Sequence, residues 1–465
     1  MHPFFSKILP AEPGIYIVGG SVRDLLLGRC PIDCDIAVEG DPGILARKIA
    51  RKISGHVVDL GRPGKQIARV AAKGAVFDVA PIAGETIEAD LLRRDFTINA
   101  MACETASNRI IDPTGGRKDL AEKTVRMVSA DAFAEDPVRL IRAFRIASTL
   151  DFQIEPQTLN AVKAYAKRMI ASPGERIRPE LIKILETADA CPYLLQMADT
   201  GLLQTIFPEM EPMMECSQNH RHIHNVFHHT LDAYRKLEEL LNHPESLIPP
   251  NLIDAVFHRI DRPLLKLSIL LHDIGKPCTR TEDSKGTIHF YGHEKAGAGL
   301  FRQIARRLTL SNKEADYVNR IIENHLRPLH LFTASRRQPL SRQSRVRFFM
   351  RCRDLCPALL VHAVADARAK TIPDASRPFA EFAAGLLNDF FLQFTPESVK
   401  PPLITGRDLI QELGLAPSPL FKKILLAVEE ARLIQNNLTR SEALSLARNL
   451  LTASPGRIDN LSELF

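Results

Sequence analysis

The stretch from Tyr16 to Ala37, YIVGGSVRDLLLGRCPIDCDIA, constrains this chain more than any other part of it. The apolar run Ile15–Val18 predicts a buried strand, and a second predicted strand carries Asp33 and Asp35. Side chains alternate between the two faces of a strand, so these two aspartates point the same way. Two carboxylates aimed at one spot suit a pair of Mg²⁺ ions. A lone Asp-x-Asp is usually a solvated strand edge, so its surroundings decide its meaning.

A glycine-rich turn lies between these two predicted strands. Gly19-Gly20-Ser21 follows the first strand directly, and VRDLLLGR then has helical spacing. A turn that opens a helix offers backbone N–H groups to a triphosphate. A lone Gly-Gly is usually only a tight turn. The order of strand, Gly-Gly-Ser, helix and Asp-x-Asp together predicts a nucleotidyl-transfer site.

Two further segments of this region carry candidate site residues. Asp78 lies in the predicted strand AVFDVA and is a candidate third carboxylate, the alternative being an ordinary polar residue at a strand end. LLRRDFTINAMA places Arg94, Asp95 and Asn99 around a helix predicted to start near Thr97. Arginine suits phosphate oxygens, and a carboxylate or an amide suits ribose hydroxyls. The alternative for this segment is a salt-bridged surface cluster.

Five motifs follow one another along roughly the first 190 residues, which makes the pattern highly specific. They are GGSVRD with DCD, LLRRDFTINAMA, DPTGGRKDL, AEDPVRLIRAFRIAS and SPGERIRPEL. The set resembles the head and neck motifs of class II tRNA nucleotidyltransferases and bacterial poly(A) polymerases. The resemblance implies addition of nucleotides to RNA 3′ ends without a nucleic-acid template. CCA-adding members of that family build the C-C-A end of tRNA.

Asp136 and Arg139 form a candidate base-selecting pair. Their spacing of three places them on one face of a predicted helix. Aspartate accepts a hydrogen bond and arginine donates one, whereas cytosine and adenine both offer an amino donor beside a ring-nitrogen acceptor. The pair would therefore accept C and A and reject U and G, whose edges are reversed. The alternative is an ordinary surface ion pair, but the resembling family uses these two positions to select the base.

Arg142 and Arg145 would extend the basic face towards triphosphate or RNA backbone. The full set of predicted nucleotide-binding residues is Gly19, Gly20, Ser21, Arg23, Arg94, Asp95, Asn99, Asp136, Arg139, Arg142 and Arg145. The predicted catalytic carboxylates are Asp33, Asp35 and Asp78.

The motifs do not by themselves distinguish poly(A) polymerases from the tRNA nucleotidyltransferases of this family. Bacterial poly(A) polymerases typically carry a GRRFRL-like segment after the metal carboxylates, and GRPGKQIARV at 61–70 does not match it. This favours the CCA-type branch. Enzymes that add only CC or only A share the same motifs, so those alternatives stay open. Residues 80–92 correspond to a loop linked to that difference, but their sequence does not decide it.

A second constellation of histidine and aspartate begins near residue 220. An adjacent His-Asp pair, joined by further His and Asp on helical segments at wide intervals, predicts a nitrogen and oxygen site for a divalent transition metal. A lone histidine on an apolar helix is more often a core residue. The pattern resembles the HD phosphohydrolase superfamily. That resemblance implies four core ligands, His229, His272, Asp273 and Asp366, and two histidines for a second metal, His293 and His325. It also implies phosphatase or phosphodiesterase activity.

The predicted fold is an α/β nucleotidyltransferase head with a small mixed sheet, followed by an all-α neck, HD domain and tail. The predicted boundaries are 1–125 for the head, 126–215 for the neck, 216–370 for the HD domain and 371–465 for a helical tail that contacts tRNA. The net charge of +6 is compatible with nucleic acid but too small to prove it. The eight cysteines lack CxxC spacing, and no apolar run of about 18 residues occurs. A cytoplasmic location without a membrane is therefore expected.

These observations combine into one functional hypothesis. The head would add C, C and A to tRNA from CTP and ATP with Mg²⁺, and the HD domain would hold a transition metal. The open alternatives within the family are A-only addition, CC-only addition and poly(A) synthesis. A hydrolase in which the head only binds nucleotide is the alternative from another class. An RNA-binding chaperone without chemistry would require both complete ligand sets to be vestigial.

Overall fold

The computed structural model describes residues 7–29, 31, 33–60, 67–72, 74–218, 225–370, 376–435 and 437–452. Ile32 and residues 61–66, part of the segment that distinguishes poly(A) polymerases, lie outside these ranges. The chain divides into two compact units, Met1–Pro208 and Glu209–Phe465. The predicted class, a mixed-sheet head followed by a largely helical body, is confirmed.

Within the described residues, the first unit contains a seven-stranded mixed sheet in the order β3-β4-β5-β2-β1-β6-β7. Its strands are β1 Ile15–Val18, β2 Asp33–Val38, β3 His56–Asp59, β4 Ala68–Ala72, β5 Ala75–Pro81, β6 Ala102–Glu104 and β7 Ile110–Ile111. β2 runs parallel to β5, in a register that pairs Asp35 with Asp78. Alternate residues such as Ile36 and Phe77 are buried, so the sheet presents its aspartates on the opposite face.

Helices surround this sheet and then form the rest of the first unit. Their bounds are Gly20–Leu26, Pro42–Ile53, Ile87–Leu92, Gly116–Ala121, Asp131–Glu135, Val138–Leu150, Pro156–Tyr165, Gly174–Glu186, Cys191–Asp199 and Leu202–Ile206. Two short strands, β8 Thr124–Val125 and β9 Gln153–Ile154, pair in parallel. Local chemistry sets many helix starts: Asp41 accepts a hydrogen bond from the Gly43 N–H at 2.7 Å, and Pro42 takes the first position.

The prediction of a helix that starts near Thr97 is wrong. A single 3₁₀ turn, Thr97–Asn99, is followed by β6, which pairs with β1. The turn is held from a distance, because the Thr97 hydroxyl donates to Asp119 Oδ2 at 2.6 Å. Tertiary pairing has therefore overridden the local helical pattern.

The second unit is almost entirely helical. Its helices are Glu211–Glu215, Val226–Asn242, Ile253–Phe257, Arg262–Leu271, Lys276–Thr279, His293–Arg307, Asn312–Asn324, Arg327–Ser335, Arg342–Cys352, Cys356–Lys370, Arg377–Asp389, Thr395–Ser398, Gly406–Leu413, Leu420–Ile434 and Arg440–Thr452. A small hairpin pairs β10 Thr281–Glu282 with β11 Ile288–His289. The described residues also form 3₁₀ segments at Ala166–Ala171, Pro208–Met210, Pro244–Ser246, Pro250–Leu252 and Arg353–Leu355, and a π-helical segment at Phe390–Phe394.

The core of the second unit lies around the helix Arg262–Leu271, in which every residue from Leu264 to Leu271 is buried. Two helices flank it, Val226–Asn242 and Cys356–Lys370, and they pack against each other as well. The last three helices enclose a separate small core that contains Leu409, Ile424 and Val428. In the part of the chain that the structure describes, every helix is too short or too polar to cross a bilayer.

Candidate functional site

The three predicted catalytic carboxylates lie on neighbouring strands. Asp33 and Asp35 are on β2, and the parallel register of β5 sets Asp78 beside Asp35. Solvent reaches Asp35, but desolvation by the surrounding protein still raises its pKa. The charge of Arg94 lowers this pKa, whereas the charges of Asp78 and Asp33 raise it further. The site therefore concentrates negative charge, an arrangement that favours bound cations.

Asp78 already has a partner among the described residues. Arg69 Nε and Nη2 donate to its two carboxylate oxygens, each at 2.7 Å. A bidentate pair of this kind neutralises one charge of the carboxylate cluster. Asp33 and Asp35 are consequently the stronger metal-ligand candidates, and Asp78 stays a candidate for a supporting role.

The Gly-Gly-Ser turn positions the carboxylate strand. The Ser21 hydroxyl is buried, donates to the Asp33 carbonyl at 3.3 Å and accepts from the Asp35 N–H at 3.0 Å. Gly19 has φ of 70°, and a Cβ there would stand 2.8 Å from Arg94 Nη1 and 3.7 Å from Asp35 Oδ2. Glycine is thus needed both for the backbone conformation and for the close approach of these groups. The Ser21 side chain holds β2, so triphosphate contact remains a prediction for the backbone of the turn.

Several predicted nucleotide-binding residues form one polar network. Arg23 Nη1 donates to Asn99 Oδ1 at 2.8 Å, and Asn99 Nδ2 donates to Asp95 Oδ1 at 3.1 Å. The second Asp95 oxygen accepts from Arg142 Nη1 at 3.2 Å. The structure therefore brings these residues together, although they come from three distant stretches of the sequence.

Arg142 and Arg145 have a shared partner that the sequence reading did not include. Glu180 accepts from Arg142 Nε at 3.1 Å and from Arg145 Nε at 2.5 Å. Glu180 belongs to the SPGERIRPEL motif, so this motif ties the helix Val138–Leu150 to the helix Gly174–Glu186. The two arginines have internal carboxylate partners, and contact with RNA or triphosphate stays a prediction for them.

A cavity of about 620 Å³ opens beside the sheet. Its polar lining consists of Asp90, Arg93, Arg94, Glu135 and Arg139, and its apolar wall includes Val18 and Ile36. Arg139 is held there because its Nη1 donates to the carbonyls of Arg93 and Ala132, at 3.3 and 3.4 Å. Arg139, the predicted base-selecting arginine, thus lines the same cavity as Arg93 and Arg94, which are candidates for phosphate binding.

The geometry predicted for Asp136 and Arg139 is wrong in one respect. Asp136 does not share a helix face with Arg139, because it ends the helix Asp131–Glu135 and precedes the start of the next helix at Val138. Its Oδ2 accepts from Arg176 Nη2 at 2.8 Å, and the Arg176 contact lowers the pKa of Asp136 against the opposing effect of burial. Arg176, another residue of the SPGERIRPEL motif, is therefore the ion-pair partner.

Replacing Arg176 with Gln tests whether this pair matters to nucleotide choice. We expect the KM for the correct nucleotide to rise about tenfold with a smaller change in kcat. The charge-assisted hydrogen bond that orients Asp136 is partly exposed to solvent, so its worth lies at the lower end of about 1.5–3 kcal/mol. Steady-state addition kinetics on tRNA, with all four nucleotides, provide the measurement. Arg168→Gln removes another exposed arginine of the same unit and is the control. Unchanged KM and base preference would show that Arg176 is only a surface partner.

The second unit contains a buried cluster of the predicted HD residues. His272, His293 and His325 each direct Nδ1 to the carbonyl three residues earlier, at 2.8, 2.8 and 2.7 Å respectively. A carbonyl only accepts, so Nδ1 carries a hydrogen and Nε2 is the nitrogen that faces the cluster. This arrangement is typical of metal-binding histidine, in which Nε2 holds either a proton or a metal ion.

The four predicted core ligands converge. His229 Nε2 lies 2.9 Å from Asp366 Oδ1 and 3.7 Å from Asp273 Oδ2. His272 Nε2 lies 3.2 Å from Asp273 Oδ2 and 3.5 Å from Asp366 Oδ1. Two overlapping sets, His229–His272–Asp366 and His272–Asp273–His325, each place three ligand atoms within 4.8 Å of one another. This buried cluster could hold a metal ion.

The two predicted second-metal histidines lie next to the same aspartate. His293 Nε2 is 3.4 Å from Asp273 Oδ1 and 3.2 Å from His325 Nε2. Two imidazole lone pairs facing each other at that distance repel unless a proton or a metal ion lies between them. Asp273 therefore contacts both groups of predicted ligands: its Oδ2 lies beside His272, and its Oδ1 lies beside His293.

The electrostatics of the cluster favour added positive charge. Asp273 and Asp366 overcome the effect of burial and raise the pKa of His272 to about 9. The pKa values of both carboxyl groups are held well below their usual range despite burial, by His272 and Lys276 for Asp273 and by Lys370 and His229 for Asp366. Imidazole and carboxylate donors in this proportion fit a divalent transition metal.

Three residues of this centre were missed by the sequence reading. Lys276 Nζ lies 2.7 Å from Asp273 Oδ2, Lys370 forms an ion pair with Asp366, and His362 is buried beside His272. The spacing of His362 and Lys370 was a usable signal, because each lies four residues from Asp366 on the helix Cys356–Lys370 and so shares a face with it. Lys276 lies three residues after Asp273, which is in the turn before the helix Lys276–Thr279.

Models of three protein families match segments of the chain. The Poly A polymerase head domain matches residues 15–126, the probable RNA and SrmB-binding site of polymerase A matches residues 151–214, and the HD domain matches residues 226–369. The A-adding tRNA nucleotidyltransferase of Deinococcus radiodurans is 34% identical over 455 residues, which cover 96% of this chain and 98% of that protein. The chain belongs to the class II tRNA nucleotidyltransferase and poly(A) polymerase family.

Two further tRNA nucleotidyltransferases resemble this chain, one in sequence and one in structure. The CC-adding tRNA nucleotidyltransferase of Geobacter sulfurreducens is 44% identical over 196 residues, 42% of this chain and 45% of that protein. The Thermotoga maritima CCA-adding enzyme complexed with tRNA superposes with a TM-score of 0.61 at 22% identity, covering 94% of this chain and 91% of that one. The chain is thus a tRNA nucleotidyltransferase with an HD domain.

Proposed function

We propose that this nucleotidyltransferase adds the terminal A to tRNA that already ends in CC, using ATP. The observation that carries this proposal is the 34% identity, along almost the full length of both chains, with an A-adding enzyme. The catalytic residues would be Asp33 and Asp35. Both lie on strand β2 of the head, and together they form the pair of carboxylates that two-metal transfer requires.

The reaction joins the tRNA 3′-oxygen to the α-phosphorus of ATP and releases pyrophosphate. Mg²⁺ ions bound by Asp33 and Asp35 would supply Lewis-acid stabilisation of the attacking and leaving oxygens. Ser21 holds the backbone at both aspartates and so fixes the spacing of their carboxylates. Arg94, at the cavity wall, would face the phosphates.

Base selection would rest on Asp136 and Arg139. Arg139 lines the cavity and would donate to the ring nitrogen of adenine. Asp136, which lies outside the cavity lining and is oriented by Arg176, would accept from the exocyclic amino group. A guanine or a uracil would oppose donor to donor and acceptor to acceptor, which leaves buried polar groups unpaired at a cost of about 1–3 kcal/mol each.

Complete CCA addition, the prediction from the sequence, is the second candidate. It is favoured by the same pair, because cytosine presents the same order of donor and acceptor as adenine. The Thermotoga maritima CCA-adding enzyme also shares the fold across 94% of this chain. Both candidates require the same head chemistry and differ only in which tRNA ends are extended.

Extension of three tRNAs separates the two candidates. The substrates end before CCA, after C, and after CC, and each receives CTP, ATP or both with Mg²⁺. For the A-adding enzyme we expect product only from the CC-ended tRNA with ATP, resolved as one added nucleotide on a sequencing gel. Full CCA on the shortest tRNA would identify a complete CCA-adding enzyme and overturn the A-only proposal.

We further propose that the HD domain binds a divalent transition metal and hydrolyses a phosphoester. His229, His272, Asp273 and Asp366 would hold the first ion, and His293 and His325 would help to hold a second. The support is the convergence of buried histidine Nε2 atoms on two carboxylates. Such an ion would activate water for attack on phosphorus.

A further inference from the structure

His362 is a buried histidine that the ligand set above does not include. It lies in the helix Cys356–Lys370 and has no exposed surface. Neither of its ring nitrogens has a hydrogen-bond partner within the described residues. A buried imidazole carries an N–H and a lone pair, so leaving both unpaired is costly, and such groups in folded proteins call for an explanation.

His362 lies next to the histidine and aspartate cluster of the HD domain. It precedes Asp366 by four residues, which places both side chains on one helix face. Its ring centroid lies 5.3 Å from that of His272 and 5.9 Å from that of His325.

The alternative of simple packing does not account for an imidazole here. The residues on either side of it in the helix, Val361 and Ala363, are buried apolar side chains. An apolar residue at position 362 would avoid the cost of desolvating two ring nitrogens. The imidazole gains a partner only if something other than the described protein atoms supplies one.

We propose that His362 is an additional nitrogen ligand for a divalent transition metal, beside His272 and His325. This inference rests on the proposed metal binding of the HD domain. Imidazole is a preferred donor for the first-row dications from iron to zinc, and one more nitrogen would raise the affinity and make the site more selective against Mg²⁺. His362 thus extends the ligand set on the side of the cluster that the helix Cys356–Lys370 covers.

Co²⁺ titration of the full chain tests the proposal, with His362→Phe and His362→Gln as variants. Visible absorption reports the ligand field, elemental analysis the stoichiometry, and thermal melting the metal-free stability. For His362→Phe we expect Co²⁺ affinity to fall 10–100-fold and the spectrum to change, with an unchanged or higher melting temperature without metal. His362→Gln should lose affinity as well, and it preserves the test if the phenylalanine variant does not fold.

His330→Phe is the matched control, since His330 is an exposed histidine of the same unit. Its Co²⁺ binding should equal that of the wild type. Wild-type affinity, stoichiometry and spectrum in both His362 variants would overturn the assignment of His362 alone. Failure of the wild-type chain to bind Co²⁺ would overturn the proposed metal centre together with this inference.

Discussion

We expect the replacement of Asp35 with Asn to lower kcat for nucleotide addition by at least about 10³-fold. Loss of a carboxylate ligand withdraws several kcal/mol of transition-state stabilisation by the bound metal, and about 1.4 kcal/mol corresponds to each tenfold. The substitution preserves size and hydrogen-bonding shape, so the backbone contact with Ser21 should persist. Single-turnover extension of CC-ended tRNA with ATP and Mg²⁺ is the measurement.

The same substitution should leave the fold intact or stabilise it. The pKa of Asp35 is raised by partial desolvation and by the charges of Asp78 and Asp33, against the opposing effect of Arg94, so the folded state holds a proton more tightly than the unfolded chain. The ionised carboxylate therefore costs stability at neutral pH, and that cost disappears as the pH falls through the folded pKa. Asn cannot ionise, so we expect an equal or higher melting temperature at pH 7 and a smaller gain on acidification.

Asp59→Asn, which removes an exposed carboxylate at the end of β3, is the control for this experiment. It should add nucleotides at the wild-type rate. If Asp35→Asn retained more than about a tenth of wild-type kcat, the metal-ligand assignment would be wrong, because the loss of a carboxylate ligand to a catalytic metal ion costs more than about 1.4 kcal/mol.

We expect the replacement of Asp273 with Asn to remove the proposed metal binding of the HD domain and to leave nucleotide addition unchanged. Asp273 has one oxygen beside His272 and the other beside His293, so its loss affects both proposed metal positions. We expect no bound transition metal by elemental analysis after Mn²⁺ or Co²⁺ loading, and no hydrolysis of bis-p-nitrophenyl phosphate. Addition of A to tRNA is measured in parallel.

The stability of this variant has its own expected direction. Lys276 loses the carboxylate that lies 2.7 Å from its Nζ, and an uncompensated buried charge costs about 3–5 kcal/mol. A lower melting temperature is therefore expected, and assays are run below it. Asp254→Asn, at an exposed site of the same unit, is the control. Loss of nucleotide addition in a folded Asp273→Asn variant would contradict the assignment of two separate chemistries.

The sequence alone determined the elements that local periodicity controls. The alternation of a strand fixed the common face of Asp33 and Asp35, and their place in β2 follows the predicted run. The five ordered motifs identified the family, and the widely spaced histidines and aspartates identified the HD cluster. These conclusions needed only residue type and spacing, since neighbouring residues on one element share a face whatever packs against it.

Only the tertiary structure decided the partners of those residues. Asp136 pairs with Arg176, forty positions away, and Asp78 pairs with Arg69 across a strand pair. The sequence could not give Ser21 its contacts with β2, nor reveal that His362 is buried without a partner among the described residues. Periodicity states which residues of one element share a face, but the packing of distant elements decides what that face meets. Local pattern therefore predicted the ligands, and the fold decided what surrounds each of them.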